Sequence, residues 1–469
     1  MRKKLREQGL MLHKEKTSGT ILEKLRQQKF SNIEKLKGYI YEQLEAQGDC
    51  TRRSVENIRG TIDGNMGTIR DKLDHRISLE VEEYREQIRE GDLQPPITAQ
   101  FDGKKVVKYP CDPRYCTGCQ TCIQICPVYA IKKKVDDEGF YRIEIDEERC
   151  TGCGKCIDVC HVNVPKQLLL RTPKQLLACI NKDSEIREKS SSGGVFSELA
   201  KAVIYQGGIV FGARMDENLI VSHIGIDREE QIARLRGSKY VQSDLKDTFC
   251  KVKEYIAQNK RVLFSGTPCQ VAALKRYIGY SQNLYTVDIV CHGVTSPQFF
   301  EDYKKQLEIL YGPIKSISFR DKAAGWENYS INVEFENRDR FLKQRFQEPF
   351  TNGFLKELIN AEVCHRCQYA RGERSGDITL ADFWGFQEKE KKILNDDKGI
   401  SACMINSMKG MELYHMIEDK LVSEEREYES LKNCNRPLKN PSLKNPDREN
   451  FWRDYREFGF CYVCENWLK

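Results

Sequence analysis

The 469-residue chain contains no apolar run of roughly 18 residues, the length a helix needs to cross a bilayer, so no segment is expected to span a membrane. Strong charge bias is also missing: 76 Lys and Arg against 70 Asp and Glu leave +6. That is mild for this length and by itself no argument for nucleic acid. The surplus sits mostly in the first forty residues, which have few aromatic side chains to stack on bases. Met1-Arg-Lys-Lys-Leu-Arg6 lacks the apolar core of an export signal, which makes the cytoplasm the expected compartment. Cysteine, by contrast, is abundant, with twenty in the chain. Disulfides are not expected in a chain without an export signal. The thiols therefore point to metal binding or redox chemistry, in a chain long enough for about two to four domains.

Eight cysteines form two runs. The first reads Cys116-x2-Cys119-x2-Cys122-x3-Cys126-Pro127, and the second Cys150-x2-Cys153-x2-Cys156-x3-Cys160. This doubled run is how bacterial-type ferredoxins hold two 4Fe-4S clusters, the fourth cysteine of each run ligating the other cluster. Three thiolates on a tight loop cap three irons, and the fourth must come from the far side of the cube. Cys116, Cys119, Cys122 and Cys160 are therefore assigned to one cluster, and Cys150, Cys153, Cys156 and Cys126 to its partner. Zinc would more often take two paired cysteines per site. His161 stands where the first run has Pro127, with Pro165 arriving late. Between the runs, Tyr141-Arg-Ile143-Glu-Ile145 alternates like one strand of a short hairpin. Such a module stores and passes single electrons.

The expected organisation is a multidomain α+β and α/β chain: a helical N-terminal extension, the ferredoxin module, then a larger domain with a mixed sheet. Residues 1–30 are basic and read as disordered. Residues 31–91 read as helical, from Ile33, Leu36, Ile40 and Leu44 onward. The apolar positions from Val55 to Ile88 recur near the eleven-residue period of about 3.67 per turn. Gly60, Gly64 and Gly67 weaken that helix. It reads as a coil for self-association or partner docking, or as a helix on the protein's own core. The ferredoxin module is placed at 105–170, the large domain at 185–400 and a helical tail at 401–469. The terminal Cys461-Tyr-Val-Cys464 reads as a frayed end carrying two thiols.

In the large domain, Ser190-Ser-Ser192-Gly193-Gly194 opens a helix from Phe196 to Tyr205, a start that exposes N–H groups suited to a phosphate. Ordinary capping would look the same. Gly237-Ser-Lys239-Tyr-Val-Gln-Ser243 follows as a loop, with Ser243 read as the N-cap of a helix to about Gln258. Arg261 to Phe264 reads as a buried strand, Ser265-Gly266-Thr267-Pro268-Cys269 as a loop and Gln270 to Ile278 as a helix. A second strand, Leu284 to Val290, ends in Cys291-His292-Gly293. A strand–helix–strand crossover makes these strands parallel and puts Cys269 and Cys291 at one sheet edge. Open α/β sheets bind ligands at that edge. Cys364-x2-Cys367 would complete four thiolates there, for a third 4Fe-4S cluster or a zinc ion.

Several segments occur together and in this order in one family. They are Ser191-Ser-Gly-Gly-Val-Phe196, Lys239-Tyr-Val-Gln-Ser243, Phe264-Ser-Gly-Thr-Pro-Cys-Gln270, Cys291-His-Gly293, Cys364-x2-Cys367 and Asp377-Ile-Thr-Leu-Ala-Asp382-Phe-Trp384-Gly385. Over roughly residues 105–460 the chain resembles the coenzyme F-420 hydrogenase/dehydrogenase beta-subunit family. The resemblance implies FAD in the large domain beside a third cluster. Cys269, Cys291, Cys364 and Cys367 become its ligands, and Ser192, Gly193, Gly194, Lys239, Ser243, Gly266 and Thr267 candidate flavin contacts. It carries nothing over to the first hundred residues.

A flavin moves two electrons and each cluster moves one, so the two in series convert between the two kinds of chemistry. The first functional reading is an iron–sulfur flavoprotein oxidoreductase. It would pass electrons between a low-potential, ferredoxin-type one-electron carrier and a small-molecule hydride donor or acceptor, with a deazaflavin as the family's namesake. The alternative is an electron-delivery subunit of a larger complex, docked through its N-terminal helices and without a substrate of its own. No general acid or base is assigned. His292 and Asp382 are candidates but read more simply as supporting groups, His365 as a solvent-facing or supporting residue, and Cys179, Cys250 and Cys403 as ordinary buried thiols.

Overall fold

A computed structural model describes residues 97–101, 103–166, 169–387 and 393–469. The expected basic arm at 1–30 and coil at 31–91 lie outside the described residues. Residues 98–161 and 169–469 form one compact unit.

The small module begins with β1 (Ile97–Phe101) paired to β2 (Lys104–Tyr109). Each cysteine run then wraps into a one-turn helix, Thr121–Ile125 in the first and Lys155–Val159 in the second. Between them lies the expected hairpin, β3 (Ile131–Val135) antiparallel to β4 (Tyr141–Ile145), with Lys133 opposite Ile143. Its turn is closed by Asp136, whose Oδ1 accepts the N–H groups of Glu138 at 3.1 Å and Phe140 at 2.8 Å. Val107, Ile131, Ile143 and Cys156 make the small core.

The large domain is built on an eight-stranded mixed sheet. Its strands are β5 (Gln175–Asn181), β6 (Ile209–Met215), β7 (Val221–Ile226), β8 (Val262–Gly266), β9 (Leu284–Ile289), β13 (Ile378–Asp382), β14 (Ser401–Ile405) and β15 (Leu421–Glu425). Their order is β15-β5-β14-β13-β9-β8-β6-β7. The four central strands β13, β9, β8 and β6 run parallel, and the pairs outside them are antiparallel. Alternation along the central strands explains why both faces are covered. Ile209, Phe211, Val262 and Phe264 face a core shared with Phe249, Val271 and Leu274. Val210 and Leu263 face another shared with Leu199, Val203 and Leu413. The crossover is as expected: helix Pro268–Ile278 links the parallel neighbours β8 and β9. A separate antiparallel sheet, β10 (Ile314–Asp321), β11 (Ser330–Phe335) and β12 (Arg340–Gln344), is inserted between β9 and β13.

Three expectations need correction. The large domain does not span 185–400, because β5 precedes that range while β14 and β15 follow it in the same sheet. Ser243 does not cap a helix; the helix there is Thr248–Ala257, and the Ser243 hydroxyl bonds His223 instead. The C-terminus does not fray. The helical segment Arg448–Trp467, broken at Gly459, buries Phe451, Trp452 and Val463 in an aromatic core with Phe299, and Asn352 Nδ2 donates to Leu468 O at 2.8 Å.

The small module is fastened to the large domain by polar side chains. Gln120 Oε1 accepts Lys246 N–H at 3.0 Å, and Gln124 Oε1 accepts Phe249 N–H at 2.8 Å. Gln242 Oε1 accepts Tyr141 N–H at 2.7 Å, and Lys133 Nζ donates to Asp244 at 2.6 Å. Arg448, only 2 % exposed, forks onto the Glu138 carboxylate. Bidentate contacts of this kind fix orientation as well as proximity.

Candidate functional site

The cysteines meet as the runs require. Cys122 has Cys119, Cys116 and Cys160 as neighbours, with Cys156 of the second run also within reach. Cys156 has Cys150, Cys153 and Cys126 around it, and these four line one small cavity. Burial pushes the thiols of Cys119 and Cys156 up to about 12, with neighbouring cysteines adding to the effect. Crowded, buried thiols of this kind resist ionising alone, whereas a bound metal centre supplies the positive charge that makes them thiolates. Cys116 is different. A hydrogen bond from the Cys111 thiol holds it down to about 5, with Arg142 and the Tyr109 hydroxyl adding to it. Cys111 is buried and also bonds Cys160. The run pattern could not have found it, since Cys111 lies outside the motif.

The third quartet assembles where the crossover put it. Cys269 begins helix Pro268–Ile278 and Cys291 follows β9, while Cys364 and Cys367 come from a 3-10 turn, Glu362–Arg366, and its cap. Cys269 feels Cys367 and Cys364, and Cys291 feels Cys269 and Cys367. Burial raises all three of Cys269, Cys291 and Cys364, Cys291 to about 12. Cys119 of the first run is also among the neighbours of Cys269. Among the described residues every cysteine is a free thiol. Among them, too, no group of three or more His, Cys, Asp or Glu side chains is gathered for a single metal ion. The four ligands of a cubane go to four different irons rather than to one point.

Cys291, His292 and Gly293 form part of the wall of a cavity of about 530 Å³, within the range of cofactor pockets. It adjoins a basin of about 1040 Å³, with Ser191, Ser238 and Arg320 among the residues that line both. Lys182, Arg187, Lys322, Arg340 and Lys398 give the basin a basic lining. On the cavity wall the Arg320 guanidinium lies 4.1 Å over the Tyr329 ring and 5.3 Å over Trp384. Trp384 in turn stacks on Trp326 at 4.6 Å. Arg320 Nη1 and Nη2 donate to Asp382, but its buried Nε has no protein partner. A flat wall, an unanswered donor and a basic annex suit a planar ring system carrying phosphates.

The sequence-predicted contacts divide. Ser192, Gly194, Lys239, Ser243, Gly266 and Thr267 line the cavity; Gly193 does not. The Ser192 hydroxyl donates to Ile400 O at 2.7 Å and Gly193 N–H to Ser401 Oγ at 2.9 Å. A Cβ on Gly193 would lie 2.2 Å from Cys179 O, so this glycine lets the loop close onto β5 and β14. Lys239 Nζ donates to the carbonyls of Leu235 at 3.0 Å and Arg236 at 2.8 Å, ending the helix Ile232–Leu235, while burial pulls it down to about 7. Thr267 N–H is taken by Gln270 Oε1 at 2.9 Å, and Thr267 Oγ1 lies 3.1 Å from Cys269 Sγ. His223, missed by the sequence reading, is held neutral: burial lowers it to about 4. Its Nε2–H donates to Ser265 O at 3.1 Å, so Nδ1 accepts the Ser243 hydroxyl at 2.7 Å.

The acid–base candidates are engaged by neighbouring side chains. Asp382 is held by Arg320 and by Trp326 Nε1–H at 3.0 Å. His292 and His365 approach one carboxylate, Glu357, at 3.5 and 3.7 Å, and the His365 side chain is buried, not solvent-facing. Thr379 lies in β13 and Asp377 just before it; Asp377 accepts from Thr286 and Ser407, and Thr379 donates to Asp288. Cys179 and Cys403 are fully buried neighbours on paired strands, while Cys250 is half-buried with its sulfur 3.2 Å from Tyr277 Oη.

Residues 115–164 match a 4Fe-4S dicluster domain, which makes this an iron–sulfur redox protein. Residues 259–430 match the C terminus of the coenzyme F420 hydrogenase/dehydrogenase beta subunit. That segment is similar to the family's C-terminal domain, and the dicluster domain is fused ahead of it. Among solved structures, a chain of the F420-reducing NiFe hydrogenase complex from Methanosarcina barkeri is similar at 18% identity. The match covers 57% of this chain and 86% of that one, with a TM-score of 0.39. No curated protein matches. Among the described residues no helix is long and apolar enough to cross a membrane.

Proposed function

We propose that the protein is an iron–sulfur flavoprotein oxidoreductase. It would link a low-potential one-electron carrier to a two-electron donor or acceptor. Three cysteine quartets would hold 4Fe-4S clusters: Cys116, Cys119, Cys122 and Cys160; Cys126, Cys150, Cys153 and Cys156; and Cys269, Cys291, Cys364 and Cys367. The observation that carries this reading is the position of Cys291, which belongs to the third quartet and to the cavity wall at once.

FAD, the group the family implies, would supply chemistry in which electrons can be taken singly or in pairs. The chain's own residues would do the rest. Tyr329, Trp384 and Arg320 would flank the ring system, Arg320 Nε offering its unused donor. The basic basin would favour phosphate groups over uncharged ligands. His223, neutral and tied at both nitrogens, would shape the cavity rather than exchange protons. A redox partner protein would meet the dicluster module, where Cys153 is exposed. The family's name makes coenzyme F-420 the first two-electron partner to test.

Iron, acid-labile sulfide and flavin counted on protein purified without oxygen test the proposal. The expected result is about twelve irons and one FAD per chain, four irons for each cubane. About eight irons with a flavin would remove the third cluster. About eight irons and no flavin would overturn the enzyme reading.

A further inference from the structure

One buried contact joins the dicluster module to the third quartet and has no part in the reading above. Tyr369 is 3 % exposed and packs with Leu170 and Ala272 against Cys269 and Cys367. Its hydroxyl lies 2.6 Å from His161 Nδ1, and His161 Nε2 lies 3.1 Å from Thr117 Oγ1. His161 is itself 1 % exposed. The three residues adjoin cysteines of two quartets in sequence: Thr117 follows Cys116, His161 follows Cys160, and Tyr369 is two residues past Cys367. The thiols felt by Tyr369 come from both sides, Cys269 and Cys367 from one and Cys119 and Cys160 from the other.

The position of His161 carries the argument. The matching place in the first run is Pro127, which needs only to turn the chain. In the second run the chain turns with a residue that has a side chain to spend, and that side chain reaches 208 residues along the sequence. A hydrogen-bonded pair at this depth costs less to bury than the two polar groups would cost unpaired. The helices Thr121–Ile125 and Lys155–Val159 both pack on helix Pro268–Ile278, so the contact sits inside a fixed seam.

We propose that Tyr369 and His161 form the bridge by which a single electron crosses between the Cys116/Cys119/Cys122/Cys160 cluster and the Cys269/Cys291/Cys364/Cys367 cluster. This rests on the reading that both quartets hold clusters. One cluster loses an electron as the other gains it, and the phenol and imidazole keep their protons throughout. The cluster of Cys126, Cys150, Cys153 and Cys156 is then the outer station, reached first by a partner. Tyr369 and His161 line neither the cavity nor the basin and are positioning residues.

The test compares full-length wild type with Tyr369→Phe, His161→Pro and a control, Tyr277→Phe. Tyr277 also bonds across the seam, to Gln124 O at 3.4 Å, but off the bridge. Iron per chain is counted and cluster potentials are measured. Each protein is then mixed with a reduced two-cluster ferredoxin and freeze-quenched, and the third cluster's EPR signal is followed in time. The expected result is about twelve irons in every protein and unchanged potentials. The signal should rise about tenfold more slowly in Tyr369→Phe and His161→Pro, a barrier effect of ordinary size, and normally in Tyr277→Phe. Twelve irons with an unchanged rise in Tyr369→Phe would overturn the bridge and leave a direct step between Cys119 and Cys269. Equal slowing in Tyr277→Phe would overturn it as well, in favour of general loosening. Eight irons in the wild type would instead take away the bridge's far end, and the three-cluster reading would fall with it.

Discussion

The two cysteine runs have identical spacing and different surroundings. At matching positions stand Gln120 and Gly154, each preceding its one-turn helix in the left-handed region, with φ of 57° and 73°. Glycine takes that conformation freely, whereas another L-residue pays about 1–2 kcal/mol. Gln120 accepts the strain and is 3 % exposed, because its side chain reaches Lys246 of the large domain. A Cβ on Gly154 would meet nothing within 4 Å. Further along the first helix, Gln124 accepts from Phe249 N–H and Cys250 N–H, while at the matching place in the second run the contact passes from Arg276 to the main-chain carbonyl of Asp158. The cysteine spacing defines a cluster loop; the residues between the cysteines decide which loop faces inward.

The largest expected effect concerns glycines that the two runs do share. Gly118 and Gly152 both have positive φ, and a Cβ there would lie 2.4 Å from Tyr141 O and 1.9 Å from Lys105 O respectively. Backbone atoms cannot step aside as a side-chain tip can. Gly118→Ala and Gly152→Ala should each lose about 4 kcal/mol or more and fail to hold a full complement of iron. Gly154→Ala, with open space, should lose only the conformational cost of about 1–2 kcal/mol. Thermal melts with iron analysis would separate the two classes. Equal losses at Gly152 and Gly154 would mean that the close approach of Lys105 is unimportant.

A smaller effect separates docking from strain. Gln120→Ala keeps the left-handed residue and loses the Lys246 hydrogen bond, so about 1 kcal/mol should be lost. Gln120→Gly loses the same bond but relieves about 1–2 kcal/mol of strain, and should melt near the wild type. Its seam should nevertheless open more often, seen as faster amide hydrogen exchange at Lys246 and Phe249. Unchanged exchange in Gln120→Gly would show that this bond does not hold the modules together.

What could be read in advance follows the range of the interactions. The cysteine runs, the hairpin strand Tyr141–Ile145 and the β8–helix–β9 crossover were legible because each is written in a few dozen consecutive residues. The placing of Cys269 and Cys291 at one sheet edge followed from the two strands being parallel. The sheet's outer part was not legible: β5, β14 and β15 pair residues more than 200 positions apart, and nothing local announces such partners. Ser243 looked like a cap because Ser before a helix usually is one, yet a buried histidine 20 residues earlier claimed its hydroxyl. Gly193 looked like a phosphate loop and proved to be a packing position, a distinction that only the carbonyl of Cys179 makes visible.

Cys111 poses the finest version of the comparison, because the matching place ahead of the second run is Ile145. Its buried thiol has a single S–H to offer to Cys116 or Cys160, two members of the first quartet, and lowers the Cys116 thiol. Hydrogen bonds to cluster sulfurs favour the more negative, reduced state and raise the potential. A neutral bond contributes about 1 kcal/mol, and 59 mV corresponds to a tenfold change for one electron. Removing it should therefore lower one cluster's potential by about 40 mV. Cys111→Ala should shift the cluster of Cys116, Cys119, Cys122 and Cys160 by that amount and leave the one of Cys126, Cys150, Cys153 and Cys156 in place. Cys111→Ser, which keeps a donor, should recover most of the difference. EPR-monitored redox titration reads the two clusters separately. A shift of both together would assign the effect to a change in the whole module, and no shift would mean that the Cys111 thiol only fills space beneath the cluster.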